Sequence, residues 1–179
     1  MSYFCDMSLP DSFKDISTFV LDVDGVLTNG MVYVFDDGQQ VRQMNIKDGY
    51  ALQLAIKRGY RVLVLSGGNS PAVTNRLNRL GIKDIFMGVL EKHSVLLEYM
   101  KKNDLSKKEI LYMGDDMPDL SAMNEAGLPC APSDAIPEIK KIAVYISAQK
   151  GGQGCVREVI ELVLKLNEHW ELDTGIASR

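Results

Sequence analysis

The sequence predicts an α/β fold: a Rossmann-like parallel sheet with helices on both faces, a projecting β-hairpin and no cap domain. Short apolar runs such as Thr18-Phe-Val-Leu21, Arg61-Val-Leu-Val-Leu65 and Glu109-Ile-Leu-Tyr-Met113 alternate with stretches of helical period. Chains of that pattern form parallel sheets with right-handed crossovers. Each run also ends in a polar loop containing glycine: Asp22-Val-Asp24-Gly25, Ser66-Gly67-Gly68 and Gly114-Asp115-Asp116. In a parallel sheet such loops lie on one edge, where ligands bind.

Residues 1–16 show no clear period and read as a lead-in. Thr18 to Thr28 is a strand that runs into acid. Residues two apart share a strand face, so Asp22 and Asp24 are expected to point into one cavity. Like charges there raise each other's pKa unless a cation stands between them, most simply a divalent ion with oxygen ligands. Taken alone, the stretch fits two solvated turn acids equally well. Met31-Val-Tyr33-Val-Phe35, the turn Asp36-Asp37-Gly38 and an extended run from Gln40 to Ile46 predict the hairpin, projecting from the same end of the sheet. Asp48 is well typed as the N-cap of a helix with Leu52, Ala55 and Ile56 inward and Gly59 at its end.

The loop from Ser66 to Pro71 exposes backbone N–H groups, and a helix from Pro71 to Leu80, closed by Gly81, turns its positive end toward it. Ile85 to Met87 reads as a short strand. A helix from Glu91 to Lys102 carries Lys92 in its first turn, where the helix dipole disfavours a cation. A lysine placed there invites a functional explanation. After Glu109–Met113 come Gly114-Asp115-Asp116-Met117-Pro118-Asp119, a strand at Leu128–Ala131, a helix from Ile136 to Ile142, an extended Val144–Ile146 and a last helix from Gln153 to Asn167. Lys150-Gly-Gly-Gln-Gly154 reads as a hinge, or as a tail able to enter a cavity.

The length of 179 residues with 46% hydrophobic content suits one domain over 1–179. The net charge of −4, without a basic stripe, excludes nucleic acid as the expected partner. Cys5, Cys130 and Cys155 are odd in number and lack C-x-x-C spacing, which indicates neither a disulfide framework nor a zinc site. No basic segment precedes an apolar one at the N-terminus, and no apolar run approaches ~20 residues. A cytoplasmic protein with no membrane partner is expected. His93 and His169 have no spaced partners.

Together the loops suit displacement on a phosphate. A carboxylate can attack phosphorus, and Asp22 is the candidate nucleophile. Mg²⁺ held by Asp22, Asp115 and the backbone carbonyl of Asp24 would offset the repulsion between two anions. The Asp24 side chain would serve as acid and then as base. Ser66, the N–H of Gly67, and Lys92 would hold the phosphate oxygens, with Asp116 and Asp119 orienting these groups from behind. A phosphoacceptor signalling domain uses a similar set, but there the acidic pair comes early and the phosphorylated Asp follows a later strand. A non-catalytic subunit keeping the fold for assembly is a third reading, disfavoured because every chemical group is present.

The ordered set Asp22-Val-Asp24-Gly-Val, Ser66, Lys92 and Gly114-Asp-Asp-Met-Pro-Asp119 resembles the haloacid dehalogenase superfamily of phosphohydrolases. The resemblance implies the fold, the Mg²⁺ and the roles above. Asn45-Ile-Lys47-Asp-Gly49 and Gly151-Gly-Gln-Gly-Cys-Val-Arg157 resemble more closely a capless group within it. That implies 3-deoxy-D-manno-octulosonate 8-phosphate, a precursor of a lipopolysaccharide sugar, as substrate, or a related nine-carbon ulosonate phosphate. It also implies a homotetramer in which one subunit's hairpin and another's glycine-rich tail close the cavity, with Lys47, Lys150 and Arg157 available to the sugar acid. The group carries an arginine just after the Ser/Thr-Gly of the second motif, where this chain has Gly68-Asn69-Ser70; Arg76 or Arg79 stands in as the replacement.

Overall fold

A computed structural model of the chain describes residues 11–171 together with 173, 175 and 176. Its strands are β1 (Thr18–Leu21), β2 (Thr28–Val34), β3 (Gln40–Met44), β4 (Arg61–Leu65), β5 (Asp84–Phe86), β6 (Ile110–Met113), β7 (Leu128–Ala131) and β8 (Tyr145–Ile146). All but β2 and β3 form one parallel sheet in the order β5-β4-β1-β6-β7-β8. Thr18 pairs with Arg61 on one side and Ile110 on the other, and Leu21 with Val64 and Met113. The strand order therefore reverses at β1, the position in an open α/β sheet where a crevice opens beyond the strand ends.

The helices are α1 (Ile46–Lys57), α2 (Pro71–Arg79), α3 (Lys92–Asn103), α4 (Leu120–Met123), α5 (Pro137–Ile142) and α6 (Cys155–Leu166). Alternation along the buried strands divides the core in two. Phe19, Leu21, Val62, Val64, Leu111 and Met113 pack with α1, α2 and α6. Val20, Leu63, Leu65, Ile110 and Tyr112 pack with α3, α4 and α5. This is a Rossmann-like α/β fold with helices on both faces. Among the described residues no helix is long and apolar enough to cross a membrane.

The structure corrects several sequence readings. The cap of α1 is Asn45, whose side chain accepts the Lys47 N–H at 2.8 Å. The chain leaves the β3 ladder at Met44, so Asn45 is the first residue free to cap. Asp48 instead lies buried within α1, and its Oδ1 accepts the Arg157 N–H at 2.8 Å. It thereby caps α6, whose own N-cap, Gly154, has no side chain to do so. Lys150–Gly154 is not a loose hinge, since its backbone is bonded back onto its own chain. Gly152 N–H donates to Val26 O at 2.9 Å, and Gly151 N–H to Asp134 Oδ1 at 2.9 Å. Glycine is required because a Cβ on Gly152 would lie 2.6 Å from Asn29 N.

The hairpin forms with Gly38 N–H bonded to Phe35 O at 2.9 Å, and β2 begins at Thr28, earlier than the apolar run suggests. Residues 1–10 of the lead-in, with Cys5, lie outside the described residues. Its remaining part packs, with the Phe13 ring edge-on to Tyr145 at 5.5 Å. Cys130 and Cys155 are free and buried.

Candidate active site

Asp22, Asp24, Ser66, Lys92 and Asp115 line one cavity of about 290 Å³ at the C-terminal ends of β1, β4 and β6. Beyond Leu21 the backbone leaves the strand for an irregular turn with Gly25 at φ +89°, so the two aspartates do not sit on one strand face. Asp22 is buried, with Oδ1 accepting the Val23 N–H at 2.6 Å and lying 2.9 Å from Lys92 Nζ. Asp24 is half-exposed and takes different partners. Its Oδ1 accepts from Arg42 Nε at 2.7 Å and its Oδ2 from Arg42 Nη2 at 3.1 Å, and Thr28 Oγ1 donates to its Oδ1 at 3.3 Å.

Lys92 explains its own odd position at the start of α3. Its side chain is 3% exposed, and Nζ bonds Asp119 Oδ1 at 2.8 Å as well as Asp22. Burial alone would push this ammonium down, but the charges of Asp119 and Asp22 hold it above its ordinary value. Asp119 is fully buried; Tyr112 O–H donates to its Oδ1 at 2.8 Å and Asp115 N–H to its Oδ2 at 3.3 Å. Asp116 is exposed and accepts the Met117 N–H at 2.8 Å, capping the short turn that carries Asp119. Ser66 is buried, and its Oγ accepts the Gly68 N–H at 3.1 Å, which shapes the loop containing Gly67.

Oxygens of Asp22, Asp115 and Asp119 lie within 4.8 Å of one another. Burial, then the charge of Asp119, raises the Asp22 carboxyl to about 7. Asp115 is raised to about 7 by burial and then by Asp22 and Asp119. Asp115 Oδ1 is buried without a hydrogen-bond partner. An orphaned carboxylate oxygen among crowded acids fits a hard cation with oxygen ligands. Asp119 belongs to this cluster by distance, although Lys92, Tyr112 and the Asp115 amide already engage its oxygens.

Other candidate residues lie elsewhere. Lys47, Lys150 and Arg79 are exposed and do not line the cavity. Arg157 sits on α6 with its guanidinium over the Tyr50 and Trp170 rings at 5.5 and 5.4 Å, and pairs with Glu161 at 3.3 Å. Arg76 lies in a groove between β3 and α2. Arg42 was invisible to motif reading: one arginine in a hairpin strand carries no spacing signal, and only the fold of the hairpin brings it to Asp24.

A parallel sheet that reverses at β1, with clustered acids and a buried lysine at the reversal, defines a hydrolase class. The model of the haloacid dehalogenase-like hydrolase family matches residues 81–159, and the chain belongs to that family and is a phosphatase. Within the family it is similar to 3-deoxy-D-manno-octulosonate 8-phosphate phosphatase KdsC of Yersinia pestis, 31% identical over 91% of this chain and 87% of the relative. The crystal structure of the Yersinia pestis phosphatase superposes with a TM-score of 0.88 at 31% identity, covering 92% of this chain and 89% of that one. The Moraxella catarrhalis phosphatase, solved with a magnesium ion, a phosphate ion and a KDO molecule, gives a TM-score of 0.83 at 34% identity, covering 86% and 88%.

Proposed function

We propose that the chain is one cytoplasmic phosphatase domain that hydrolyses a sugar-acid phosphate, 3-deoxy-D-manno-octulosonate 8-phosphate, with Mg²⁺ and through an aspartyl phosphate on Asp22. The observation that carries this reading is Lys92, buried between Asp22 and Asp119 beside the unpartnered Asp115 oxygen. Similarity to phosphatases of that substrate supports the choice of sugar. Free, buried cysteines agree with a reducing compartment.

Asp22 Oδ1 is engaged by Val23 and Lys92, so Oδ2 is the attacking atom. It forms a bond to phosphorus as the bond from phosphorus to the sugar oxygen breaks, and Asp24 gives that oxygen a proton. Water then attacks phosphorus while Asp24 takes a proton from it. The bond from phosphorus to Asp22 breaks, and inorganic phosphate leaves. Ser66, the Gly67 N–H and Lys92 hold the phosphoryl oxygens, where charge accumulates. Asp119 fixes Lys92, and Asp116 fixes the turn beneath Asp119. Asp22, Asp115 and the Asp24 carbonyl would hold Mg²⁺, which supplies positive charge against the repulsion of nucleophile and phosphate.

Closure of the cavity falls to the hairpin of a neighbouring subunit in a homotetramer. Met31, Tyr33 and Val34 at its outer strand are 69%, 70% and 69% exposed, which supports a partner surface.

The test is phosphate release with Mg²⁺ from the octulosonate 8-phosphate, a nine-carbon ulosonate 9-phosphate and hexose 6-phosphates. The first is turned over best, Asp22→Asn abolishes release, and Asp24→Asn lowers kcat about 10²- to 10⁴-fold with the fold retained. Preference for the nine-carbon ester would correct the sugar; turnover of none would overturn the reading.

A further inference from the structure

Asp48 is a buried acid that the reaction above leaves unused. It is 2% exposed, its Oδ1 accepts the Arg157 N–H at 2.8 Å, and its Oδ2 is buried without a hydrogen-bond partner. Burial pushes its carboxyl up to about 6, although the Arg157 N–H and the charges of Arg157 and Arg76 pull the other way. A buried charge with one oxygen unserved costs stability. Capping α6 does not by itself call for that cost, because asparagine would accept the same N–H with no charge to desolvate. Proteins break such a rule chiefly where function constrains them.

The surroundings show what the charge does. Asp48 lies in the first turn of α1 and bonds the first turn of α6, so it stands at the positive ends of two helices of 12 residues each. It ties their N-termini together. The turn that opens α6 is fastened in its turn to the catalytic loop: Cys155 Sγ donates to Val26 O at 3.4 Å, and Gly152 N–H donates to the same oxygen at 2.9 Å. Val26 is the second residue after Asp24. Val26, Cys155 and Val156 are fully buried, and a close-packed interior passes a displacement on rather than absorbing it. A shift at the start of α6 therefore reaches the loop that aims Asp22 and Asp24.

We propose that Asp48 is a positioning residue for the reaction: it locks the start of α6 to the start of α1, and α6, through the Val26 carbonyl, holds Asp22 and Asp24 in register with Asp115. This assignment rests on the phosphatase reading above. Asp48 touches neither substrate nor metal in it and acts only through the backbone.

The experiment compares wild type, Asp48→Ala, Asp48→Asn and Leu164→Ala. Leu164→Ala is the control, since it removes a fully buried side chain from the far end of the same helix. Melting temperatures are measured with and without Mg²⁺, and kcat and KM for the octulosonate 8-phosphate are measured well below every melting point. Asp48→Ala is expected to lower kcat about 10- to 100-fold, the order of loss that a misplacement of ~1 Å brings, with KM little changed. Its rise in melting temperature with Mg²⁺ is expected to shrink. Asp48→Asn, which keeps the acceptor and loses the charge, is expected to fall between Asp48→Ala and wild type. Leu164→Ala is expected to melt lower and keep the wild-type kcat and the wild-type Mg²⁺ response. If Asp48→Ala does not fold, Asp48→Asn carries the comparison by the same criteria. A folded Asp48 variant with the wild-type kcat and Mg²⁺ response would mean that Asp48 only caps α6, and the inference fails while the phosphatase reading stands. A wild type inert toward every phosphate ester fails that reading, and the Mg²⁺ response of Asp48→Ala against that of Leu164→Ala then tests the bracing by itself.

Discussion

Gly151 packs so closely beneath Gly25 that a Cβ built on it would stand 2.0 Å from the Gly25 carbonyl oxygen. Gly25 in turn leaves no room of its own: a Cβ there would lie 2.0 Å from Asp115 Oδ2. The glycine-rich turn before α6 is thus a backbone brace under the loop that carries Asp22 and Asp24. Gly151→Ala must push that loop toward Asp115 or move α6. Overpacking of this kind costs about 1–3 kcal/mol, so the variant should melt lower and lose kcat together. An unchanged melting temperature with full activity would show that the turn yields freely.

Lys92 is the sole cation touching both Asp22 and Asp119 among the described contacts. Lys92→Met leaves two buried carboxylates uncompensated, a change that costs about 3–5 kcal/mol in buried pairs. Urea unfolding should register it, and phosphate release should vanish. Lys92→Met combined with Asp119→Asn should recover part of the stability and none of the activity. Recovery of activity in the double variant would remove Lys92 from the chemistry.

Stability without metal should fall as pH rises. The carboxyls of Asp22 and Asp115 go from an ordinary 3.8 to about 7 in the folded chain, and that of Asp48 to about 6. In all three, burial is the first cause. The folded chain therefore holds more protons than the unfolded one between those values, so their contribution is full below 3.8 and is lost as pH climbs through 6 to 7. Mg²⁺ needs the ionised acids, so it should raise the melting temperature more at pH 8 than at pH 5. At a concentration of about 100 Kd the gain is about 2.7 kcal/mol. Calorimetry with and without chelator measures it, and Asp115→Asn should abolish most of the response.

Exposed Met31, Tyr33 and Val34 on the hairpin predict the fourth outcome. If the proposed homotetramer forms through the hairpin, Tyr33→Glu with Val34→Glu should give a smaller species than wild type in light scattering without unfolding the sheet, because both side chains are exposed. Retention of the wild-type mass would place the interface elsewhere.

The α/β alternation, the strands ending in acid or serine, and the lysine at the start of α3 were legible because each is a local pattern: period, apolar run, residue type at a strand end. Local patterns follow from backbone geometry and need no knowledge of what lies opposite. The cap of α1 was misread because Asn45 and Asp48 both suit a cap, and only the end of the β3 ladder selects between them. Arg42 against Asp24, Asp48 beneath α6 and Gly151 under Gly25 join residues far apart in the chain. Such contacts depend on how the hairpin and the last helix pack around the sheet, and a one-dimensional sequence does not encode those distances in any single stretch.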